Sequence, residues 1–202
     1  LLTGRMAFRA GRNVVFTGAG GPCLIEENRL TLPGMLREKG YTTALTGKWH
    51  VGLTFFDRDT GEPIHKNGSL EAVQRIDYSR AIPDGPVNRG FDRFFGTASC
   101  PGTDLLYAYI EQDRIPVPPD RLFDPDDPED PLHFPESPYI QGYTRKGMIA
   151  PDYDFKELDI LFLKKSQEFL AEHVMNSSGK PFFLLHSTAA IHLPALPPDI
   201  FS

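Results

Sequence analysis

The 202 residues predict an α/β fold in which helices pack on a mainly parallel sheet. Two helix-to-strand units predict it, one over residues 31–49 and one over residues 159–188. No segment repeats at a fixed period, so a repeat architecture is excluded.

Taken in order, Leu1-Leu2-Thr3-Gly4-Arg5 reads as the tail of a helix closed by Gly4, because glycine relieves left-handed strain at a helix C-terminus. Residues 11–30 crowd Gly18, Gly20, Gly21 and Pro22 together and read as a connector. Thr31 is a candidate N-cap, Pro33 suits a first turn, Met35 and Leu36 supply an apolar face, and Gly40 ends the helix. Residues 41–49 follow as a strand favoured by Thr42, Thr43, Leu45 and Thr46.

Residues 54–150 are rich in Pro, Gly, Asp and Arg and weakly periodic, so they read as a loop-rich, substrate-shaping excursion with short strands, one over residues 106–110. Its acidic piece, with Asp124, Asp126, Asp127, Glu129 and Asp130, lacks EF-hand spacing and reads as a solvated loop. Over residues 159–174, Leu161, Phe162, Phe169, Leu170 and Val174 oppose Lys164, Lys165, Glu168 and Glu172, a helix with one buried stripe. Residues 181–188 are apolar on both faces and read as a strand buried in a parallel sheet.

Composition excludes more than it assigns. A net charge of -6 and a pI near 5.5 lack the clustered Lys and Arg of a nucleic-acid footprint. No apolar run is long enough to span a bilayer. Cys23 and Cys100 have no C-x-x-C spacing, which argues against a metal knuckle or a thioredoxin-like site, and leaves them free or paired as one disulfide. Neither cellular location nor oligomeric state is legible in these residues.

The most informative stretch is Thr46-Gly47-Lys48-Trp49-His50-Val51-Gly52. A strand alternates faces, so Lys48 and His50 project to one side and Trp49 to the other. A cation and a titratable donor at the carboxyl end of a strand suit an anionic substrate. The competing reading makes Lys48 a solvent-facing cation and His50 a hydrogen-bonded structural histidine. Trp49 after Lys48 excludes a P-loop, and neither G-x-S-x-G nor H-E-x-x-H occurs.

Four segments, in order, resemble the sulfatase family. Leu1-Leu2-Thr3-Gly4-Arg5 looks like the end of its signature C-x-P-S-R-x-x-L-L-T-G-R, and residues 31–52, with Gly40-Tyr41-Thr42-Thr43 and Gly47-Lys48-Trp49-His50, look like its second signature. Gly90-Phe91-Asp92-Arg93-Phe94-Phe95-Gly96 is similar to the family's G-F-D-x-F-F-G stretch, and Tyr109-Ile110-Glu111-Gln112-Asp113-Arg114 continues it. Lys180-Pro181-Phe182-Phe183-Leu184 followed by His192-Leu193-Pro194 resembles the strand and histidine loop beside the family's substrate.

The resemblance implies an alkaline-phosphatase-like sandwich with helices on both faces of the sheet, incomplete within residues 1–202, and a sulfuric ester hydrolase of arylsulfatase type. It implies a divalent metal, calcium in kind, and a formylglycine made from a Cys or Ser upstream of Leu1. By the same resemblance Lys48 contacts the sulfate, His50 holds the formylglycine, and His192 contacts the sulfate and serves the leaving group. His186 lies within the apolar strand and reads as structural. The signature Cys and Arg, the paired aspartates, the Asp-Asn metal pair and a second Lys have no positions here, so no metal ligand is assigned and a partial, inactive catalytic domain is expected. The serine that some members place after the G-F-D stretch falls near Ser99 or Cys100.

Expected partners are a sulfated small molecule or glycan, with no nucleic acid and no membrane span, in a periplasmic or secreted setting. Two rivals remain: a metal-dependent phosphate or phosphonate monoester hydrolase, and a pseudo-enzyme that binds sulfated glycans without turnover.

Overall fold

The computed structural model describes residues 1–6, 9, 20–65, 69–132, 144–176, 179–190 and 192. Helix α1 (Leu32–Glu38) leads into strand β1 (Thr42–Lys48), and a short helix α2 (Leu70–Gln74) precedes β2 (Arg93–Thr97). Strands β3 (Leu106–Tyr107), β4 (Ile110–Glu111), β5 (Arg121–Phe123) and β6 (Gly147–Ile149) follow, then helix α3 (Leu158–Asn176) and strand β7 (Phe182–Ser187). A four-stranded sheet has the order β4-β2-β1-β7, and a three-stranded sheet has the order β3-β6-β5.

The first helix-to-strand unit forms as its residues dictate. Thr31 caps α1 by accepting a hydrogen bond from the Gly34 amide, and its hydroxyl donates to the Arg89 carbonyl at 2.7 Å. The cap thus ties α1 to the 3-10 turn before β2. Strand β1 lies parallel to both β2 and β7, with Leu45 opposite Phe94 on one side and Leu185 on the other. Two glycines set this spacing: a Cβ on Gly47 would stand 1.8 Å from the Ser187 carbonyl oxygen, and one on Gly96 would stand 1.8 Å from the Gly47 carbonyl oxygen. At φ 105°, Gly47 also holds a backbone conformation that side chains rarely adopt.

Helix α3 covers the sheet face bearing Thr46, Phe95 and His186. Ser166 Oγ lies 2.6 Å from Thr46 Oγ1, and the Phe162 ring meets the Phe95 ring edge-on. Its buried stripe is Leu158, Phe162, Ser166, Phe169 and His173. The expected stripe is corrected at Val174, which is exposed: one step past His173 is a 100° turn away from the sheet. On the other face Leu45 and Phe94 enter the main core with Phe91 and Leu53.

Three further expectations change. Residues 1–5 form a turn rather than a helix tail, although Gly4 is left-handed at φ 65°. Residues 106–110 are two strands in different sheets, because Leu105 at φ 66° and the short link between Tyr107 and Ile110 redirect the chain. β7 is parallel as expected, yet half-exposed rather than buried, because it is the terminal strand of the described sheet.

Within the excursion, β2 belongs to the main sheet, and the acidic loop is more than solvated. Asp130 is buried and takes both guanidinium nitrogens of Arg121, at 2.7 and 3.2 Å, while Lys146 bonds Asp124. Burial alone would push the Asp130 carboxyl up. Arg121 and the Leu132 and Asp124 amides outweigh it and hold the carboxyl below its ordinary range. Of the described residues, no helix is long and apolar enough to cross a membrane.

Candidate active site

Strands β1, β2 and β7 are parallel, so their carboxyl ends emerge on one edge of the sheet. Each delivers functional groups there: Lys48 and His50 after β1, Cys100 after β2, His192 after β7. The β1–β2 ladder continues past the strand end, with the Trp49 amide donating to Thr97 and the His50 amide to Ala98.

Trp49 anchors the turn. It is buried, and its indole N–H donates to the Gly52 carbonyl at 2.9 Å. His50 then takes a left-handed φ of 54°, an uncommon conformation for a residue with a side chain, and one that marks functional turns. The alternation expected of Lys48 and His50 stops with the strand at Lys48. The turn at His50, rather than strand alternation, directs the imidazole inward.

Cys100 is the centre of the cluster. His50 Nδ1 lies 3.5 Å from its sulfur and His192 Nε2 lies 3.1 Å away. Behind it, the Asp104 carboxylate accepts the Cys100 amide at 2.6 Å and stands 3.7 Å from His50 Nε2. Burial chiefly pushes the Cys100 thiol up to about 11, Asp104 adds to this, and the Lys48 cation opposes it. At neutral pH Cys100 is therefore a thiol and not a thiolate nucleophile. Both cysteines are free.

The His192 turn is held by a side chain from α3. Asp159 accepts the amides of Ala189 and Ala190, each at 2.7 Å, and the His192 amide donates to the Ala189 carbonyl. Pro194, Pro197 and Pro198, which follow His192 in the sequence, lie outside the described residues. His186 is satisfied as expected, its Nδ1 lying 3.0 Å from Thr46 Oγ1 and 2.8 Å from Ser166 Oγ, but it is exposed rather than a core residue.

The structure therefore brings Lys48, His50 and His192 to one place and keeps His186 apart. Sequence reasoning placed the family's serine near Ser99 or Cys100 without assigning either, and it missed Asp104 and Asp159 as members of the site. Cys100 and Asp104 are four residues apart at the end of a strand, a spacing without a motif; the link from Asp159 to residue 189 crosses 30 positions. Two imidazoles and a thiol, with the Lys48 cation nearby, can bind a small anion and move a proton.

The rat (Rattus norvegicus) protein Arylsulfatase G is 27% identical over 196 residues, which is 96% of this chain and 31% of that protein. The sea-urchin (Hemicentrotus pulcherrimus) protein Arylsulfatase is 26% identical over 214 residues, which is 100% of this chain and 29% of that protein. The chain thus spans less than a third of the length of these relatives. A structure from work on the metabolism of multiple glycosaminoglycans by Bacteroides thetaiotaomicron shares the fold at a TM-score of 0.68 and 22% identity, covering 99% of this chain and 42% of that one. The PsFucS1 sulfatase of Pseudoalteromonas sp. superposes at a TM-score of 0.57 and 22% identity, over 99% of this chain and 34% of that one. The family model described as Sulfatase matches residues 5–200, nearly every residue that builds the sheet and its histidine cluster, and on that match the chain belongs to the sulfatase family.

Proposed function

We propose that this chain forms one part of a sulfuric ester hydrolase of arylsulfatase type, the part that grips the sulfate ester. The observation that carries the reading is that His50, after β1, and His192, after β7, meet at Cys100 beyond the carboxyl ends of parallel strands, with the Lys48 cation near enough to act on the same sulfur. A sulfate monoester carries one negative charge and gathers more on its bridging oxygen as the S–O bond breaks. Lys48 supplies a fixed cation to the non-bridging oxygens. His50 holds and orients the attacking group, and His192 binds the sulfate and hands a proton to the departing oxygen. Loops within residues 54–150 select the organic part of the ester, a sulfated small molecule or glycan.

A formylglycine and a divalent metal belong to this reading as family traits. The chain contains no C-x-P-S-R sequence. Among the described residues, the group of candidate metal ligands is His50, Cys100 and Asp104. That set offers nitrogen, sulfur and one carboxylate, against the roughly six to eight oxygens that a calcium ion takes. It does not fit calcium.

The test is turnover by the full-length protein of an aryl sulfate and the matching aryl phosphate. Faster release of sulfate is expected. Preference for the phosphate would favour the phosphohydrolase rival, and tight binding of a sulfated glycan with no turnover would favour the pseudo-enzyme. His192→Ala should slow esters of weakly acidic alcohols more than activated aryl sulfates. Equal losses for both leave His192 as a sulfate-binding residue only.

A further inference from the structure

The His50, Cys100, Asp104 and His192 cluster has a chemistry that anion binding alone does not require. One ligand atom from each of His50, Cys100 and Asp104 lies within 4.8 Å of the others, and His192 Nε2 sits 3.1 Å from the same sulfur. Donors sharing a tetrahedral metal, with bonds near 2.0–2.3 Å, stand about 3.5 Å apart. His50 Nδ1 and Cys100 Sγ are already at 3.5 Å, and the His192 contact has only to open by a few tenths of an ångström.

We propose that His50, Cys100, Asp104 and His192 form a binding site for a thiophilic divalent cation of the zinc class. Sulfur and imidazole donors select such an ion over calcium or magnesium. The carboxylate beside His50 Nε2 either completes the ligand set or orients the imidazole from behind, the arrangement that second-shell carboxylates provide at zinc sites. Binding replaces the Cys100 S–H bond with a sulfur–metal bond and releases the proton to solvent. Thiolate and carboxylate together then balance a dication, although the nearby Lys48 cation counts against affinity. The inference stands on this geometry and not on the sulfate-ester reading. If that reading also holds, the ion and the ester compete for the same two imidazoles.

Cobalt(II) titration of the full-length protein, with excess calcium present to fill oxygen-rich sites, tests the proposal. A thiolate-to-cobalt charge-transfer band in the near ultraviolet is expected, lost in Cys100→Ser and kept in Cys23→Ser. Asp104→Asn should keep the band while weakening cobalt binding by on the order of 10–100-fold, which tests the ligand set even if Cys100→Ser fails to fold. Absence of the band in the parent protein, its persistence in Cys100→Ser, or an unchanged affinity in Asp104→Asn would overturn the assignment. None of these readouts uses turnover, so failure of the sulfate-ester assay leaves this result standing, and the reverse holds too.

Discussion

The sheet that carries the candidate site and the small sheet beside it are held together by different means. In the four-stranded sheet, backbones approach closely at Gly47, Gly96 and Ser187, and polar groups are threaded through the packing: Thr43 bonds Asp92 and Gly90, and Thr46 meets Ser166 and His186. The small sheet has strands of only two or three residues, too short to persist on ladder bonds. Rings hold it instead. Tyr107 and Phe123 are both 0% exposed and meet edge-on at 5.6 Å, with Phe155 at 4.9 Å from Tyr107 and Tyr153 at 5.9 Å.

The aromatic cluster also reaches the site, because the buried Tyr153 hydroxyl donates to the Pro101 carbonyl in the loop between Cys100 and Asp104. One region therefore places chemical groups through backbone geometry. The other supplies the packed body against which that geometry is braced. Mutations should separate the two.

The largest effect is expected at Gly47→Ala, where a left-handed φ and a backbone collision act together. Stability should fall by on the order of 3–5 kcal/mol, read by urea denaturation. A loss under about 1 kcal/mol would mean that β7 can slide away from β1. Phe123→Ala should cost a similar ~3–5 kcal/mol in stability by leaving a cavity in the aromatic cluster, with its effect on turnover following from unfolding alone. If turnover collapsed while the protein stayed folded, the small sheet would have a direct part in the site.

Lys48→Ala sharpens the contrast from the other side. It should remove about 2–4 kcal/mol of transition-state stabilisation, measured as kcat/KM on a sulfate ester, and leave the denaturation midpoint near that of the parent. Turnover within a few-fold of the parent would take Lys48 out of the site.

The smallest effect is a pH dependence confined to the excursion. Arg121 and two amides hold the Asp130 carboxyl below the ordinary 3.8, so its charged form is favoured by folding. Its contribution is intact above that value and is lost as the pH falls through the lower folded value. Acid titration of stability should therefore show a shallower limb in Asp130→Asn than in the parent. Superimposable limbs would mean that Arg121 adds nothing to the pair.

The residues by themselves determined those features whose causes are local. Thr31, Pro33 and Gly40 mark α1 because a cap, a fixed φ and a left-handed terminus act within one turn of helix. β1 and α3 follow from β-branched content and from a 3.6-residue apolar period, and Lys48, His50 and His192 were singled out through motif resemblance. What lies far apart along the chain was not legible.

Only the tertiary structure decided that β2 joins the main sheet, that Cys100 stands between two histidines 50 positions before it and 92 after it, and that Asp159 holds the His192 turn. It also decided that Asp130 is buried against Arg121. The physical reason is common to all four. Each depends on which strands pair and in what register, a choice governed by packing between distant segments, and neither composition nor spacing carries that information along the chain.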